Sequence, residues 1–346
     1  MPAREAGSPS PVYRLELVRS WLAGRRDLPL TARSIGSALR SAAAAGLLEL
    51  PLPGSGATAT RWEVLAELSA ADLSLGRLAE AHTDAIAILA ELDAAAPAGL
   101  WGVWAAEPPD SRVEARRYAG GWQLHGRKPW CSGATVIDRA LVSAHSADGR
   151  RLFSIAVADA APVDGTWQAV GMAASGSLAV DLTDVPAVAV GRPDAYLDRP
   201  GFWHGGAGVA ACWYGGALGA GRTLLGAARD RDLGPHAMAH LGAVDAVLTG
   251  LAALLHTAAT AIDEDPADRL GRAQARTRQL RIAVEAGATQ VLDRVGRALG
   301  AAPLCLDPVH ARRAADLPVY LRQSHAERDL AELGSITVEH ASWAAP

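Results

Sequence analysis

One stretch is the most informative for the fold and the site of this sequence: Gly126-Arg127-Lys128-Pro129-Trp130-Cys131-Ser132-Gly133-Ala134. The stretch follows a predicted strand that contains Trp122 and ends where Val136 to Ala144 starts another. In an extended chain, side chains two residues apart lie on the same side, so Trp130 and Ser132 offer a planar apolar face beside a hydroxyl. An isoalloxazine ring needs both, a stacking surface and a hydrogen-bond partner at its edge. Core packing is the alternative role for Trp130.

The spacing of apolar residues and turns divides the chain into three zones, before, around and after this stretch. Before it, apolar residues such as Leu78, Ala85 and Leu89 recur at helical spacing. Around it, short β-rich runs are separated by turns about every ten residues, which is typical of an antiparallel barrel or sandwich. After it, apolar residues again step by three and four, which indicates bundle helices. The sequence therefore predicts an α+β fold with a disordered leader at 1–11, an N-terminal helical domain at 12–98, a middle antiparallel β-barrel or sandwich domain at 99–195 and a C-terminal four-helix bundle at 203–340.

Breakers and periodicity also predict the individual elements. Strands are expected at residues 103–106, 121–125, 139–144, 152–157, 177–182 and 187–190. Bundle helices are expected at about 208–229, 241–262, 266–299 and 307–333. In the first of these helices, Gly215-x-x-x-Gly219 serves either dimerisation in a membrane or the close approach of two buried helices.

Composition excludes several classes of protein. The 346-residue chain is 50% apolar with a net charge of −4, which is too apolar and too weakly charged for a disordered chain and gives no basic footprint for nucleic acid. Its cysteines, Cys131, Cys212 and Cys305, form neither a disulfide framework nor a zinc pattern, so a reducing cytosol is expected. The uncharged stretch 200–221 is rich in glycine, so no membrane span is expected, and the first residues lack an apolar signal segment.

Motifs for other chemistries are missing or incomplete. No Gly-x-Gly-x-x-Gly follows a strand, and neither a Walker A motif nor a Gly-x-Ser-x-Gly elbow occurs. His236 and His240 have the spacing of helical metal ligands, but Ala237 replaces the zincin glutamate and no third ligand stands nearby, so no metal is expected. The arginines within 269–281 form either a solvated helix face or a contact for nucleotide phosphates.

Taken in order, the motifs resemble those of the acyl-CoA dehydrogenase family over nearly the whole chain. Residues 126–132 resemble the family's Gly-x-Lys-x-[Trp/Phe]-[Ile/Cys]-[Thr/Ser] segment, and Ala106-Glu107-Pro108 resembles its Thr-Glu-Pro segment. Gly171-Met172-Ala173-Ala174-Ser175 is similar to its Gly-Met-x-x-Ser segment, and Asp184-Val185-Pro186-Ala187-Val188 to its Asp-x-Val-x-Val strand. Residues 71–77 resemble its substrate-side helix pair. The resemblance implies a flavoprotein with FAD as its cofactor.

The resemblance also assigns roles to single residues. It places Trp130 against the flavin and Ser132 near the reactive N5, and it makes Arg229 or Arg231 the arginine that reaches the FAD of a second subunit. The cofactor contacts that it implies are Ala106, Trp130, Ser132, Arg229, Arg231, Arg297 and Gly300. The substrate contacts that it implies are Ser175 and His82.

The family's catalytic glutamate has no counterpart at the expected place. Counting from Ala315-Asp316 puts Ser324 or His325 at the usual position, and Glu327 is two or three residues away from it. The position used by a minority of members falls in 209–219, which holds no acidic residue. His325 is therefore the candidate catalytic residue, because a histidine with its ordinary pKa of about 6.5 suits proton transfer. Its alternative role is in a salt-bridged polar helix face at 325–329.

Three functions follow from the resemblance. The first is α,β-dehydrogenation of an acyl-CoA or acyl-carrier thioester in fatty acid or lipid metabolism, with electrons passing to an electron-transfer flavoprotein or a similar acceptor. The second is a flavin-dependent monooxygenase of the same fold, and the third is a non-catalytic partner subunit of a heteromeric dehydrogenase. A cytoplasmic homodimer, homotetramer or heterotetramer with a related subunit is expected. The only lysine, Lys128, lies two residues before Trp130, which indicates a site-specific reason for it.

Overall fold

The computed structural model describes residues 11–25 and 31–340. Its helices are α1 Pro11–Ala23, α2 Ala32–Ala44, α3 Thr58–Ala71, α4 Leu73–Glu91, α5 Ala195–Asp198, α6 Gly201–Asp230, α7 Gly234–Glu264, α8 Ala273–Leu299, α9 Ala302–Leu306, α10 Pro308–Leu321 and α11 Glu327–His340. Its strands are β1 Trp101–Trp104, β2 Glu114–Tyr118, β3 Gly121–Cys131, β4 Arg139–Ser146, β5 Gly149–Ala156, β6 Ala161–Val163 and β7 Leu178–Val190. Residues 1–10 of the predicted leader lie outside the described residues, and Pro11 begins α1.

The N-terminal helices begin at side-chain caps and bury one face. Thr31 caps α2 by accepting a hydrogen bond from the Ser34 amide, and Asp72 caps α4 by accepting from the Leu75 amide at 2.9 Å. In α2 the residues spaced by three and four, Ile35 and Leu39 among them, are fully buried. The helical prediction for this part of the chain agrees with these elements.

The strands close into a small barrel. Within the described residues they form one seven-stranded sheet in the order β1-β4-β2-β3-β7-β5, with β6 beside β7. A further pairing between β4 and β5 closes β4-β2-β3-β7-β5 into a ring, and β1 pairs with β4 outside this ring. The expected antiparallel pairing is wrong at β1, which runs parallel to β4 with Trp101 opposite Arg139. The parallel pairing of β1 with β4 is possible because the β2–β3 hairpin lies between them in the chain and provides the long connection that parallel strands need.

The predicted strands differ from the structure in two ways. The two runs expected at 177–182 and 187–190 are one long strand, β7. The short strands β2 and β6 were not predicted, because the mostly charged and exposed β2 shows no apolar alternation and β6 has only three residues. Pairing with neighbours, rather than local pattern, forms these two strands.

The C-terminal bundle is built on α6, which packs against α3, α4, α7, α8 and α10. A Cβ on Gly215 would lie 2.3 Å from the Ala66 carbonyl oxygen, and one on Gly219 would lie 2.7 Å from the Ala70 carbonyl oxygen. These glycines therefore let α3 and α6 approach closely inside the protein, which is one of the two roles predicted for the motif.

The final helix predicted at 307–333 is broken in the structure. It ends at Leu321, and α11 starts at Glu327 after a turn in which Ala326 is left-handed with φ 47°. A left-handed residue cannot continue a right-handed helix, so the chain changes direction there. In addition, α8 begins at Ala273, later than the predicted residue 266, because residues 265–272 form turns.

One helix, α7, is long and apolar enough to cross a membrane, with a mean hydropathy of 1.7 over its most apolar window, of which 17% is buried. The expectation of no membrane span rests on residues 200–221 and does not concern α7. A helix at the core of a soluble protein passes the same test, and Leu251, Leu255 and Ile262 of α7 do pack inside the bundle.

The barrel docks on the bundle through the segment that precedes β7. Gly171 has no space for a side chain, because a Cβ there would lie 2.1 Å from the Ala315 carbonyl oxygen on α10. Next to it, the Met172 amide donates to the Asp316 carboxylate, and Arg312 pairs with both Asp316 and Asp72. These contacts fix the sheet against α4 and α10, and a cavity remains between them.

Candidate functional site

The cavity between the barrel and the helices has a volume of about 830 Å³. Its barrel side includes Trp104, Ala105, Ala106, Trp130, Ser132, Ser175 and Ser177. Its helical side is formed by α4, the start of α6, α8 and the turn between α10 and α11. Five of the predicted site residues, Ala106, Trp130, Ser132, Ser175 and His325, thus line one cavity.

Trp130 is the exposed aromatic side chain of the barrel side. Its side chain is 56% exposed, although Cys131 next to it is fully buried. The strand register shifts between Lys128 and Cys131, and Trp130 itself is left-handed with φ 56°. The extended conformation assumed from the sequence is therefore wrong at this residue. A bulky residue held in this conformation is rare, and such strain is concentrated at functional sites.

Beside Trp130, three serine hydroxyls form a buried chain. The hydroxyl of Ser132 lies 2.9 Å from that of Ser177, which lies 2.7 Å from that of Ser175. Ser175 Oγ donates to the Met172 carbonyl oxygen at 2.7 Å, which fixes that end of the chain. Ser132 at the other end keeps its remaining hydrogen-bonding capacity for a ligand in the cavity.

Behind the barrel wall, Lys128 and Glu107 form an ionic cluster that the sequence analysis did not assign. Lys128 Nζ donates to the carbonyl oxygen and the hydroxyl of Ser143 at 2.8 and 2.9 Å and lies 3.5 Å from Glu107. Burial lowers the pKa of Lys128 to about 8. Burial also raises the pKa of Glu107, but the Ser143 hydroxyl, Lys128 and Arg150 outweigh it and hold that pKa below its ordinary value. Because Glu107 follows Ala106, the cluster anchors the loop that forms this edge of the cavity.

His325 lies in the turn before α11 with Asp329 as its partner. The His325 amide donates to Asp329 Oδ2 at 2.9 Å, and the ring atom Nδ1 lies 3.7 Å from Asp329 Oδ1. Asp329 also pairs with Arg278 at 2.6 Å. Burial raises the pKa of Asp329, but the His325 amide, His325 and the neighbouring arginines outweigh it, so its pKa is lowered. The carboxylate is therefore ionised and able to orient the imidazole.

The helical side carries a group of charged residues, the charged wall, which consists of Arg77, Glu80, Asp84, Arg199 and Arg281. Arg77 pairs with Glu80 at 2.6 Å. Burial raises the pKa of Glu80 to about 7 and also raises the pKa of Asp84, whose Oδ1 is buried without a hydrogen-bond partner in the described part of the chain. The sequence analysis missed this wall. Its signal was the spacing of charges by three and four residues along the otherwise apolar α4.

The remaining predicted site residues lie elsewhere in this chain. His82 does not line the cavity; its Nδ1 accepts a hydrogen bond from the Trp101 amide at 3.2 Å, and burial lowers its pKa to about 4. Arg229 and Arg231 are exposed at the end of α6. Arg297 pairs with Asp293 on the surface of α8, and Gly300 ends that helix. Within the described chain, neither His82 nor these four residues line the cavity.

No model of a known protein family matches the sequence, and no curated protein is detectably similar to it. Solved structures do match. KijD3 in complex with FMN and dTDP-3-amino-2,3,6-trideoxy-4-keto-3-methyl-D-glucose is 19% identical with a TM-score of 0.80, covering 97% of this chain and 95% of that one. TdsC from Paenibacillus sp. A11-2, with FMN and indole, is 20% identical with a TM-score of 0.79, covering 95% and 96%. Methanesulfinate monooxygenase MsuC from Pseudomonas fluorescens is 18% identical with a TM-score of 0.77, covering 98% and 99%.

The chain has the acyl-CoA dehydrogenase-like fold. The match extends over nearly the full length of each of these proteins, so the helices, the barrel and the bundle all belong to it. At these identities the likeness concerns the fold, and the activity has to be argued from the residues of the cavity.

Proposed function

We propose that the chain is a flavin-dependent oxidoreductase of the monooxygenase type, which holds the isoalloxazine ring against Trp130. The observation that carries this proposal is the strained and exposed Trp130 indole in the wall of the cavity. An apolar surface of this size in a cavity gains most by stacking on an aromatic ligand. The fold supports the proposal, since solved structures that share it hold FMN.

The residues present fit a flavin. The cavity, of about 830 Å³, is large enough for a drug-sized ligand, because such pockets measure roughly 300–1,000 Å³. Trp130 offers the stacking face, Ser132 the hydroxyl at the ring edge, and the backbone at Ala105 and Ala106 a further polar border. A bound flavin supplies hydride and electron transfer and the reduction of oxygen, which no side chain of this cavity can perform alone.

We propose FMN as the form of the flavin. FAD was expected from the resemblance, with Arg229, Arg231, Arg297 and Gly300 as contacts. These four residues lie away from the cavity, so they reach an adenine dinucleotide only if a partner subunit brings one to them. The ring contacts of FMN need Trp130 and Ser132 of a single chain, and the structures of KijD3 and TdsC named above contain FMN.

The electrostatics of the cavity support oxygenation over dehydrogenation. Removal of an α-proton needs a carboxylate free to accept it. In the described part of the cavity, three of the four lining carboxylates are engaged by arginines: Asp329 and Glu332 pair with Arg278, and Glu80 pairs with Arg77. The fourth, Asp84, has no ion pair among the described residues, and burial raises its pKa. His325, which has Asp329 as its partner, is the cavity residue we assign to take up or release a proton.

The second candidate function is the dehydrogenation of an acyl thioester, and one observation favours it. Glu80 lies in the cavity wall with its pKa raised to about 7, which is the range of a tuned general base. Its pairing with Arg77 opposes this role, because proton transfer to Glu80 would leave the buried guanidinium without its counter-ion.

The same proposal covers the oligomeric state, the electron-transfer partner and the cellular location of the chain. The exposed apolar face of α7, which includes Met238, is suited to a second copy of this chain in a soluble oligomer. For a monooxygenase the external electron-transfer partner is a flavin reductase, in place of the electron-transfer flavoprotein expected for a dehydrogenase. A cytoplasmic location remains proposed on the cysteine pattern.

One experiment separates the candidate functions. The purified chain is loaded with FMN, and its visible flavin spectrum is followed first on anaerobic addition of an acyl-CoA and then, after chemical reduction, on admission of air. A monooxygenase is expected to keep its oxidised flavin spectrum when the thioester is added. After chemical reduction, its oxidised spectrum is expected to return in two phases once air is admitted. Bleaching by the thioester instead supports the dehydrogenase, and failure to bind either FMN or FAD supports the non-catalytic subunit.

A further inference from the structure

Arg281 is the cation of the charged wall that has no carboxylate partner within residues 11–25 and 31–340. Arg77 pairs with Glu80 and Arg199 with Glu91. Arg281 donates only to backbone carbonyl oxygens, those of Gly206 at 2.9 Å and Gln323 at 3.0 Å. A guanidinium has five N–H donors, so donors remain free on a side chain that lines the cavity.

The ring of Trp213 fixes the plane of this guanidinium. The Arg281 Cζ lies 4.5 Å from the centre of the fully buried Trp213 ring. Stacking in this way leaves the edge of the guanidinium, which bears the N–H groups, free to meet a ligand. Arg281 is thus held in one orientation before any ligand arrives, which reduces the entropy lost on binding.

The carboxylates near Arg281 are engaged by other arginines. Asp329 and Glu332 pair with Arg278, Glu285 pairs with Arg322, and Glu80 pairs with Arg77. Burial lowers the pKa of Arg281, which means that the protein environment opposes its charge. A buried cation that the chain does not pair is costly, and an anionic ligand would offset this cost.

We infer that Arg281 binds a carboxylate of the substrate, and that the substrate is a compact polar molecule. This inference rests on the proposed function in that the flavin ring and the substrate share the cavity. A planar carboxylate matches the fork of the guanidinium, and Asp84 Oδ1 is available to accept an N–H or O–H of the same molecule. A long hydrocarbon chain would cover the charged wall without pairing its charges, which is unfavourable.

The test compares carboxylates with neutral molecules of the same shape. Benzoate and hexanoate, with benzamide and hexanamide as controls, are titrated by calorimetry into FMN-loaded and flavin-free protein. The wild type is expected to bind each carboxylate about tenfold or more tightly than the amide, the scale of one charge-assisted hydrogen-bonded pair. Arg281→Gln removes this preference, Arg281→Lys keeps part of it, and Arg116→Gln, on the exposed β2, leaves it unchanged.

Equal affinity for acid and amide, absence of carboxylate binding, or an unchanged preference in Arg281→Gln would each overturn the inference. Circular dichroism tests whether the variants are folded. If Arg281→Gln is unfolded, the preference for carboxylate over amide is measured in Arg281→Lys instead. Carboxylate selectivity in flavin-free protein that cannot bind FMN would support this inference and refute the proposed function. Normal FMN binding without carboxylate selectivity would refute this inference and support the proposed function.

Discussion

Lys128 and Trp130 lie two residues apart on β3 and meet opposite environments. Lys128 is 1% exposed and donates from Nζ to the Ser143 carbonyl oxygen at 2.8 Å, whereas the Trp130 side chain is 56% exposed in the wall of the cavity. In a regular strand both side chains would lie on the same face. The register shift and the left-handed φ of 56° at Trp130 separate them, so one residue anchors the barrel and the other lines the cavity.

We predict that Lys128→Met destabilises the protein by about 3 kcal/mol, because it removes a buried cation from Glu107 and two hydrogen bonds to Ser143. The free energy of unfolding in urea measures this loss. The control is Arg127→Met on the same strand, whose solvent-exposed pair with Asp181 is expected to contribute little to stability. Equal losses in the two variants would refute the anchoring role of Lys128.

A second prediction concerns the pH dependence of stability at His82. Burial, with a contribution from Arg61, lowers the pKa of folded His82 to about 4. The unfolded histidine titrates at about 6.5, so between these values the unfolded state binds the proton that the folded state does not. The stability contribution is complete above about pH 6.5 and is lost as the pH falls towards 4.

Between pH 6.5 and 4.5 the wild type should therefore lose about 2 kcal/mol more than His82→Asn, as measured by unfolding in urea at both pH values. Parallel curves for the two proteins would show that His82 titrates normally. In that case its place as a buried acceptor for the Trp101 amide would be wrong.

The third prediction is that His325→Gln lowers turnover about 100-fold while leaving the dissociation constant of FMN unchanged, the scale of a lost general acid or base. Asp329→Asn should reduce turnover less and shift its pH profile, because Asp329 acts through the orientation of the imidazole. Steady-state kinetics across pH measure both effects. The neighbouring Glu327→Gln, on the exposed side of α11, is the matched control, and a loss as large in this variant would contradict the role of His325.

Particular residues show how far the sequence predicts this molecule. The motif at 126–132 predicted an extended segment in which Trp130 either stacks on a flavin or packs in the core, because residue types and their order are visible in the local sequence. It could not show the left-handed backbone at Trp130, which depends on the pairing of β3 with β7. Likewise, the continuous helical periodicity through 307–333 concealed the turn at Ala326.

The charged wall illustrates the same limit for the site. Arg77, Glu80 and Asp84 are visible in the sequence as charges at helical spacing on α4. Their position in one wall with Arg281 arises only when α4, α6 and α8 pack around one cavity. The sequence therefore indicates that a ligand site exists on the barrel side, while the substrate side depends on tertiary contacts.

The most direct measurement of the central claim is the dissociation constant of FMN for Trp130→Ala, obtained by titration of flavin fluorescence. The control is Tyr118→Ala, since Tyr118 is 43% exposed on β2 of the same barrel and does not line the cavity. If the indole stacks on the flavin, Trp130→Ala binds FMN about tenfold or more weakly, while Tyr118→Ala binds it as the wild type does. An unchanged dissociation constant in Trp130→Ala would show that the flavin ring does not lie on this residue.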